Sequence, residues 1–393
     1  MRSAGENLTG RVLPLMSDHL SRARRIIVKV GSRLLVNSDT GALNSEWLTS
    51  LVADLAALKG EGKEVLLVSS GAIALGRRAL GLKHAGLRLE ESQAAAAVGQ
   101  VRLAQAYVEA FHAHGLTAAQ ILLTLEDSEE RRRYLNARET LRTLLALGAV
   151  PVINENDTVA TAEIRFGDND RLAARVAGMV EADCLILLSD IDGLYTANPQ
   201  RVLSAQHIPE VRTITPEIEA MARGPVSGIS RGGMESKIAA AKIATAAGAS
   251  VLIASGRLLH PLRAIDSPGK RTFFVPRVSP AAARKRWIAG GLSAQATVVI
   301  DAGAERALLS GKSLLPAGVT ALEGRFERGD VVIVKNASGR ELARGLVAYN
   351  LEEARLLVGR RTVEIETILG YRGRDEMIHR DNLALTGSAG DDQ

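Results

Sequence analysis

From Arg25 to Ala254 the chain alternates short β-branched and aliphatic runs with long Ala- and Leu-rich stretches, and this alternation constrains the fold more than any other feature. Short apolar runs separated by helix-length segments belong to a parallel sheet whose two faces are covered by helices. Ile26–Val30, Glu64–Val68, Leu116–Leu122, Val150–Ile153, Cys184–Leu188 and Ser250–Ala254 read as strands. Ser45–Lys59, Glu91–His114, Glu129–Leu147, Asp170–Glu181 and Met234–Ala247 read as helices. Asn44 or Ser45 opens the first, and Gly148 and Gly248 close the third and the last. The expected class is α/β: an open, mainly parallel sheet sandwiched by helices, spanning residues 25–276.

Near Pro276 the texture changes. Pro276, Pro280 and small residues lead into Arg284-Lys285-Arg286-Trp287, and short strand-like runs with Gly turns follow. Thr297–Ile300, Val331–Lys335, Leu342–Tyr349 and Thr362–Glu366 are the strand candidates of a small β-rich domain. The 393 residues therefore divide into an N-terminal tail (1–24), the α/β domain (25–276), a linker (277–294), the β-rich domain (295–375) and a C-terminal tail (376–393).

Residues 1–24 lack the apolar core of a secretory signal, and Glu6 and Asp18 argue against an organelle transit peptide. A tail is expected there, or an early start with Met16 as the true first residue. Cys184 is the single cysteine, so an intrachain disulfide is excluded, and no Cys/His cluster has zinc spacing. No apolar run approaches the ~20 residues of a membrane span. The expectation is a soluble, cytoplasmic protein without a membrane partner. Residues 277–375 carry a net basic excess of five, which suits either a nucleic-acid surface or the solvated surface of a chain with 39 Arg and 10 Lys.

The polar residues gather where strands turn into helices, which is where open α/β sheets bind ligands. In Val28-Lys29-Val30-Gly31-Ser32 a lysine near the end of a buried strand calls for an anion, although a lysine reaching solvent from an edge strand reads equally well. Ser69-Ser70-Gly71 offers a hydroxyl and backbone donors, and is also ordinary turn chemistry. Asn154-Glu155-Asn156-Asp157 and Gly167-Asp168-Asn169-Asp170 place seven amides or carboxylates among eight residues. Such a set suits an amino acid, whose ammonium needs acceptors and whose carboxylate needs donors. Ser189-Asp190 follows the strand Cys184–Leu188, and Arg231-Gly232-Gly233-Met234-Glu235-Ser236-Lys237 runs into a helix whose amino end attracts phosphate. Lys237 opposes the dipole of that helix unless an anion sits there, so Lys29 and Lys237 form a pair placed to face a polyanion.

Taken together these segments resemble the glutamate 5-kinase branch of the amino acid kinase family. The resemblance runs from Ile26 to Asp381 through VKVGS, VSSGAIALG, QAAAAVGQ, LNARETL, PVINENDTVATAEI, FGDND, LSDIDGLYTANP and GGMESK. RKRWI then leads to a stretch similar to the PUA domain, with SLLPAGV and RGDVV. The absence of a following reductase segment favours the monofunctional kinases over the bifunctional pyrroline-carboxylate synthases.

The resemblance implies phosphorylation of the γ-carboxylate of L-glutamate by ATP with Mg2+, the first step of proline synthesis. It implies that Lys29 and Lys237 neutralise the transferring phosphoryl group and that Asp170 orients them. Ser189, Asp190 and Arg231, Gly232, Gly233, Met234, Glu235, Ser236 and Lys237 would bind ATP. Ser70, Asp157 and Asn169, with Asn154 beside them, would bind glutamate; no metal ligand is assigned. Proline is the implied inhibitor, a dimer or tetramer the implied assembly, and a downstream glutamyl-phosphate reductase a candidate partner. Ser189 stands where Thr is usual, and Arg231 where a small hydroxyl residue is expected. The rival readings are another carboxylate or nucleotide kinase of the same superfamily, and an RNA-binding protein acting through the PUA-like domain. Against the latter, that region has few aromatics, namely Trp287, Phe326, Tyr349 and Tyr371.

Overall fold

The computed structural model describes residues 22–37, 39–84, 86–159, 169–222, 233–266, 269–289 and 296–386. The large sheet contains β1 (Arg25–Val30), β2 (Glu64–Ser69), β3 (Ala118–Leu123), β4 (Val150–Glu155), β5 (Cys184–Ser189), β8 (Glu210–Val211), β9 (Ser250–Ser255) and β10 (Arg271–Phe274). Between β5 and β8 lies a two-stranded ribbon of β6 (Leu194–Tyr195) and β7 (His207–Ile208). The spatial order is β3-β4-β2-β1-β5-β9-β10-β8. The first six of these are mutually parallel, and β10 runs antiparallel to β9.

Strand parity assigns the side chains to two cores. Ile26, Val28, Val65, Leu67, Ile186 and Leu188 pack on one face, whereas Ile27, Leu66, Val68, Leu185 and Leu187 pack on the other. Every central strand is thus buried on both sides, as the uninterrupted apolar runs require. On the first face the helices Ala72–Ala79 and Leu89–His112 touch through glycines. A Cβ on Gly99 would lie 1.7 Å from the Ala72 carbonyl oxygen, and one on Gly76 1.7 Å from that of Ala95. Only glycine permits this approach.

A second sheet has the order β12-β11-β13-β14-β15, with β11 (Thr297–Ile300), β12 (Val319–Glu323), β13 (Val331–Asn336), β14 (Glu341–Leu346) and β15 (Leu383–Leu385). Three expectations change here. Thr362–Glu366 is not a strand: Thr362–Glu364 is a 3-10 turn running into the helix Ile365–Leu369. Its two alternating apolar residues do not share a buried face, since Ile365 enters the second core while Val363 is 85% exposed, and the Glu364 carboxylate accepts from the Arg361 N–H to cap the turn. The region 376–393 is not wholly a tail, because Met377, Ile378 and Leu383 enter the second core and β15 pairs with β14. The acidic balance of that segment concealed its apolar residues. The linker 277–294 contains the helix Pro280–Ala289, whose Ile288 packs with Val331, Leu346 and Ala384 of the second sheet and with Leu135 on the helix Arg131–Ala146, and so joins the two domains.

Polar contacts reinforce the junction. Arg138 is fully buried; it donates to Asn382 Oδ1 at 3.2 Å and pairs with Glu181 at 3.0 Å. Arg284 reaches the same two partners at 2.8 and 3.3 Å.

Candidate active site

Strand carboxyl ends and helix amino ends meet along one edge of the large sheet. β1 brings Lys29 there, β4 brings Asn154 and Glu155, and β5 brings Ser189, with Ser70, Asp157 and Asp190 in the turns that follow β2, β4 and β5. The helices Asn169–Val180 and Met234–Ala246 begin at the same edge.

Parity also decides where the Lys29 side chain goes. It shares the Ile27 face, which those two helices cover through Leu172, Ala173, Ile238 and Ala240. Lys29 Nζ accordingly stands 2.6 Å from Asp170 Oδ1, and Lys237 Nζ donates to Asp170 Oδ2 at 2.9 Å. All three side chains are buried, Asp170 to 1% exposure. Burial drives the Asp170 carboxyl upward, but the charges and hydrogen bonds of Lys29 and Lys237 outweigh it and hold the group below its ordinary value. One carboxylate between two ammonium groups leaves this trio with a net positive charge, which suits it to a further anion. At the head of the Met234–Ala246 helix Gly233 supplies no side-chain cap, so the positive end of the dipole lies beside Lys237.

Next to the trio is a chain of amides. Asn169 Nδ2 donates to Ser70 Oγ at 2.8 Å and to Asn154 Oδ1 at 3.0 Å, and Asn154 Nδ2 donates to Gln100 Oε1 at 2.8 Å. Asn169 Oδ1 and Asp157 Oδ1 are buried and have no hydrogen-bond partner among the described residues. Buried acceptors are normally satisfied, so this pair marks a place prepared for a donor. Burial, and then repulsion from Glu155, push the Asp157 carboxyl up to about 7. The Ser70 loop owes its course to Gly71, whose φ of 112° turns the chain from β2 directly into the helix Ala72–Ala79.

Residues 24–255 match the amino acid kinase family and residues 296–369 the PUA domain. The glutamate 5-kinase of Paramagnetospirillum magneticum is 59% identical over 368 residues, covering 94% of this chain and 99% of that relative. That of Agrobacterium fabrum is 58% identical over 376 residues, 96% of this chain and 95% of the relative. Glutamate 5-kinase 1 of Rhizobium meliloti is 59% identical over 371 residues, 94% of each. The chain belongs to the glutamate 5-kinase family.

Within this glutamate 5-kinase family member, Lys29, Asp170 and Lys237 form one cluster, and Ser70, Asn154 and Asn169 form a second directly beside it. Asp157 lies just beyond β4, buried next to Glu155. Ser189 Oγ donates to Asp190 Oδ1 at 3.2 Å, and Asp190 accepts from Arg33 at 2.9 Å. Burial raises the Asp190 carboxyl, and Arg33, with hydrogen bonds from Ser189 and the Asp190 backbone, more than offsets it. Gly233, Met234, Glu235 and Ser236 form the amino end of their helix, with Glu235 exposed. Arg231 and Gly232, like Gly167 and Asp168, lie outside the described residues.

Sequence reasoning missed Arg33 and Gln100. Arg33 carries no local signal. Gln100 does, because it interrupts the buried stripe Ala96, Leu103, Tyr107 with a polar side chain at helical spacing.

Proposed function

We propose that the protein transfers the γ-phosphoryl group of ATP to the γ-carboxylate of L-glutamate, giving L-glutamyl 5-phosphate and ADP in the first step of proline synthesis. The observation that carries this reading is that Asn169 and Asp170, consecutive residues, belong respectively to the amide cluster and to the lysine pair. An amino-acid recognition site therefore abuts a phosphoryl site.

The γ-carboxylate is ionised at neutral pH and is itself the nucleophile, so no general base is needed. Its oxygen forms the new bond to phosphorus as the bond from phosphorus to the β,γ-bridging oxygen breaks, and ADP leaves with that electron pair. Lys29 and Lys237 neutralise charge spread over the phosphoryl oxygens, while Asp170 keeps them fixed. Ser189, Asp190 and the segment Arg231–Lys237 hold the nucleotide. At the other end the glutamate ammonium donates to Asn169 Oδ1 and Asp157. The Ser70 hydroxyl, which already accepts from Asn169, donates to the α-carboxylate.

Magnesium suits this site as a companion of the phosphates. Both Asp170 oxygens face lysines, and among the described residues no group of three His, Cys, Asp or Glu side chains could hold a metal ion. The ion would ride on ATP with water in its other positions. Proline, as an amino acid, fits the same ammonium and carboxylate partners and is the expected inhibitor. A homodimer or tetramer, a cytoplasmic location and a handover to a glutamyl-phosphate reductase complete the reading. Among the described residues no helix is long and apolar enough to cross a membrane.

Support for RNA binding as the main role is thin. Phe326 and Tyr349 are core residues of the second sheet, which leaves Trp287, with Arg131 5.6 Å over its ring, and Tyr371 as the two half-exposed aromatics able to stack bases. The deciding test is ADP release with glutamate, acetylglutamate, aspartate and uridylate as acceptors, with and without proline. Glutamate-selective release is expected. Release with another acceptor alone, or tight salt-sensitive RNA binding without release, overturns the proposal.

A further inference from the structure

The amides beside the lysine pair form a directional relay, and its direction is set by a residue that touches none of the reacting groups. An amide side chain has an oxygen that only accepts and a nitrogen that only donates, so each hydrogen bond fixes the orientation of the next group. Gln100 presents Oε1 to Asn154 Nδ2. That bond turns Asn154 Oδ1 toward Asn169, where it accepts from Nδ2. The second hydrogen on the same nitrogen goes to Ser70 Oγ. Both Asn169 donors are then used inside the protein, and its oxygen is left buried without a hydrogen-bond partner among the described residues.

We infer that Gln100 is the positioning residue that fixes the polarity of the glutamate pocket, holding Asn169 with its oxygen, rather than its NH2 group, toward the substrate ammonium. This rests on the reading of Asn169 and Asp157 as glutamate-binding groups. The alternative orientation would set an NH2 group against an ammonium and replace an attraction by a repulsion. Asn154 and Asn169 are 2% and 3% exposed, so water is poorly placed to restore the pattern once it is lost. The relay also has a rigid base. Gln100 follows Gly99, and Gly99 is where the helix Leu89–His112 rests on the backbone of the helix Ala72–Ala79, the element that begins just beyond Ser70.

The test compares Gln100→Glu, which keeps an acceptor at this position, with Gln100→Met, which has similar length and no amide. Glutamate KM, ATP KM and kcat are measured for each, with glutarate, which lacks the ammonium, as a second acceptor. Gln100→Met is expected to raise the glutamate KM roughly ten- to a hundredfold, as for a buried polar group left unsatisfied. ATP KM should hold, and the preference for glutamate over glutarate should fall by the same factor. Gln100→Glu is expected to stay within about threefold of the parent at neutral pH, a rescue that packing alone would not give. If Gln100→Met fails to fold, Gln100→Lys, which offers donors alone on a flexible stem, takes its place with the same expected rise.

An unchanged glutamate-to-glutarate ratio in the acceptor-free variant overturns the proposal, as does equal damage from Gln100→Glu. Asn169→Ala and Asp157→Ala, measured alongside, separate the two readings. If they raise the glutamate KM and Gln100→Met does not, the relay alone fails. If neither raises it, the glutamate pocket itself has been misplaced.

Discussion

Lys29 Nζ lies 2.6 Å from Asp170 Oδ1, a contact between the centre of the sheet and the first turn of a helix that follows 140 residues later in the chain. With Lys237 on the other carboxylate oxygen it fixes two ammonium groups side by side without letting them repel each other apart. Lys29→Ala and Lys237→Ala should each lower kcat by about 10²–10³-fold, the loss expected for one preorganised electrostatic donor. Single-turnover kinetics at saturating ATP and glutamate would show this, and near-parental rates would remove either lysine from its role.

Asp170→Asn should damage stability as well as turnover. Removing the carboxylate leaves two buried ammonium groups facing each other, at a cost of about 3–5 kcal/mol. The carboxyl is held below its ordinary value in the folded chain, so its contribution is present above the unfolded pKa of ~4 and disappears as pH falls through the lower folded value. Chemical denaturation from neutral pH down to the acid limit should therefore show the gap between Asp170→Asn and the parent narrowing only at the acid end. A pH-independent gap would contradict this account.

Asp157 has the opposite sign. Its carboxyl is raised to about 7, so below that pH it is protonated and attracts an ammonium poorly. The glutamate KM should fall as pH rises through about 7 and then level off. Asp157→Asn should flatten the profile at a high KM with little change in the ATP KM. Parallel pH profiles for the two proteins would assign the titration to another group.

Gly99 tests the scaffold beneath the site. Because a Cβ there would stand 1.7 Å from the Ala72 carbonyl oxygen, Gly99→Ala must push two helices apart. A loss of about 1–3 kcal/mol is expected, the usual cost of overpacking, together with a raised glutamate KM through the displaced Ser70 and Gln100. Thermal unfolding and glutamate kinetics on the same sample would show whether the two effects travel together.

Much of the fold is legible in the sequence itself. β1, β2 and β5 are legible as buried strands because they are apolar on both faces, and Asn154, Asp157, Asn169 and Asp170 stand out as candidates because they are too polar for a turn that only connects strand to helix. What could not be read was pairing at a distance. Nothing local in Arg33 signals Asp190, and nothing in Gln100 beyond a misplaced polar side chain signals Asn154. The second domain was harder for a related reason. Thr362–Glu366 alternates like a strand, yet its conformation is set by the Glu364 cap, and Met377 and Ile378 sit in an acidic segment while belonging to a core.

Asn169 and Asp170 are neighbours on the first turn of one helix, separated by a single Cα step of ~3.8 Å. The peptide bond between them works as a gauge block: under the proposed roles, the group that grips the amino-acid head and the group that squares the lysines on the phosphoryl cannot drift independently. Any slide of this helix, including one begun at Glu181 where Arg138 and Arg284 grasp its far end, shifts both by the same amount. Disturbances at the domain junction should therefore reach glutamate affinity and turnover as a coupled pair.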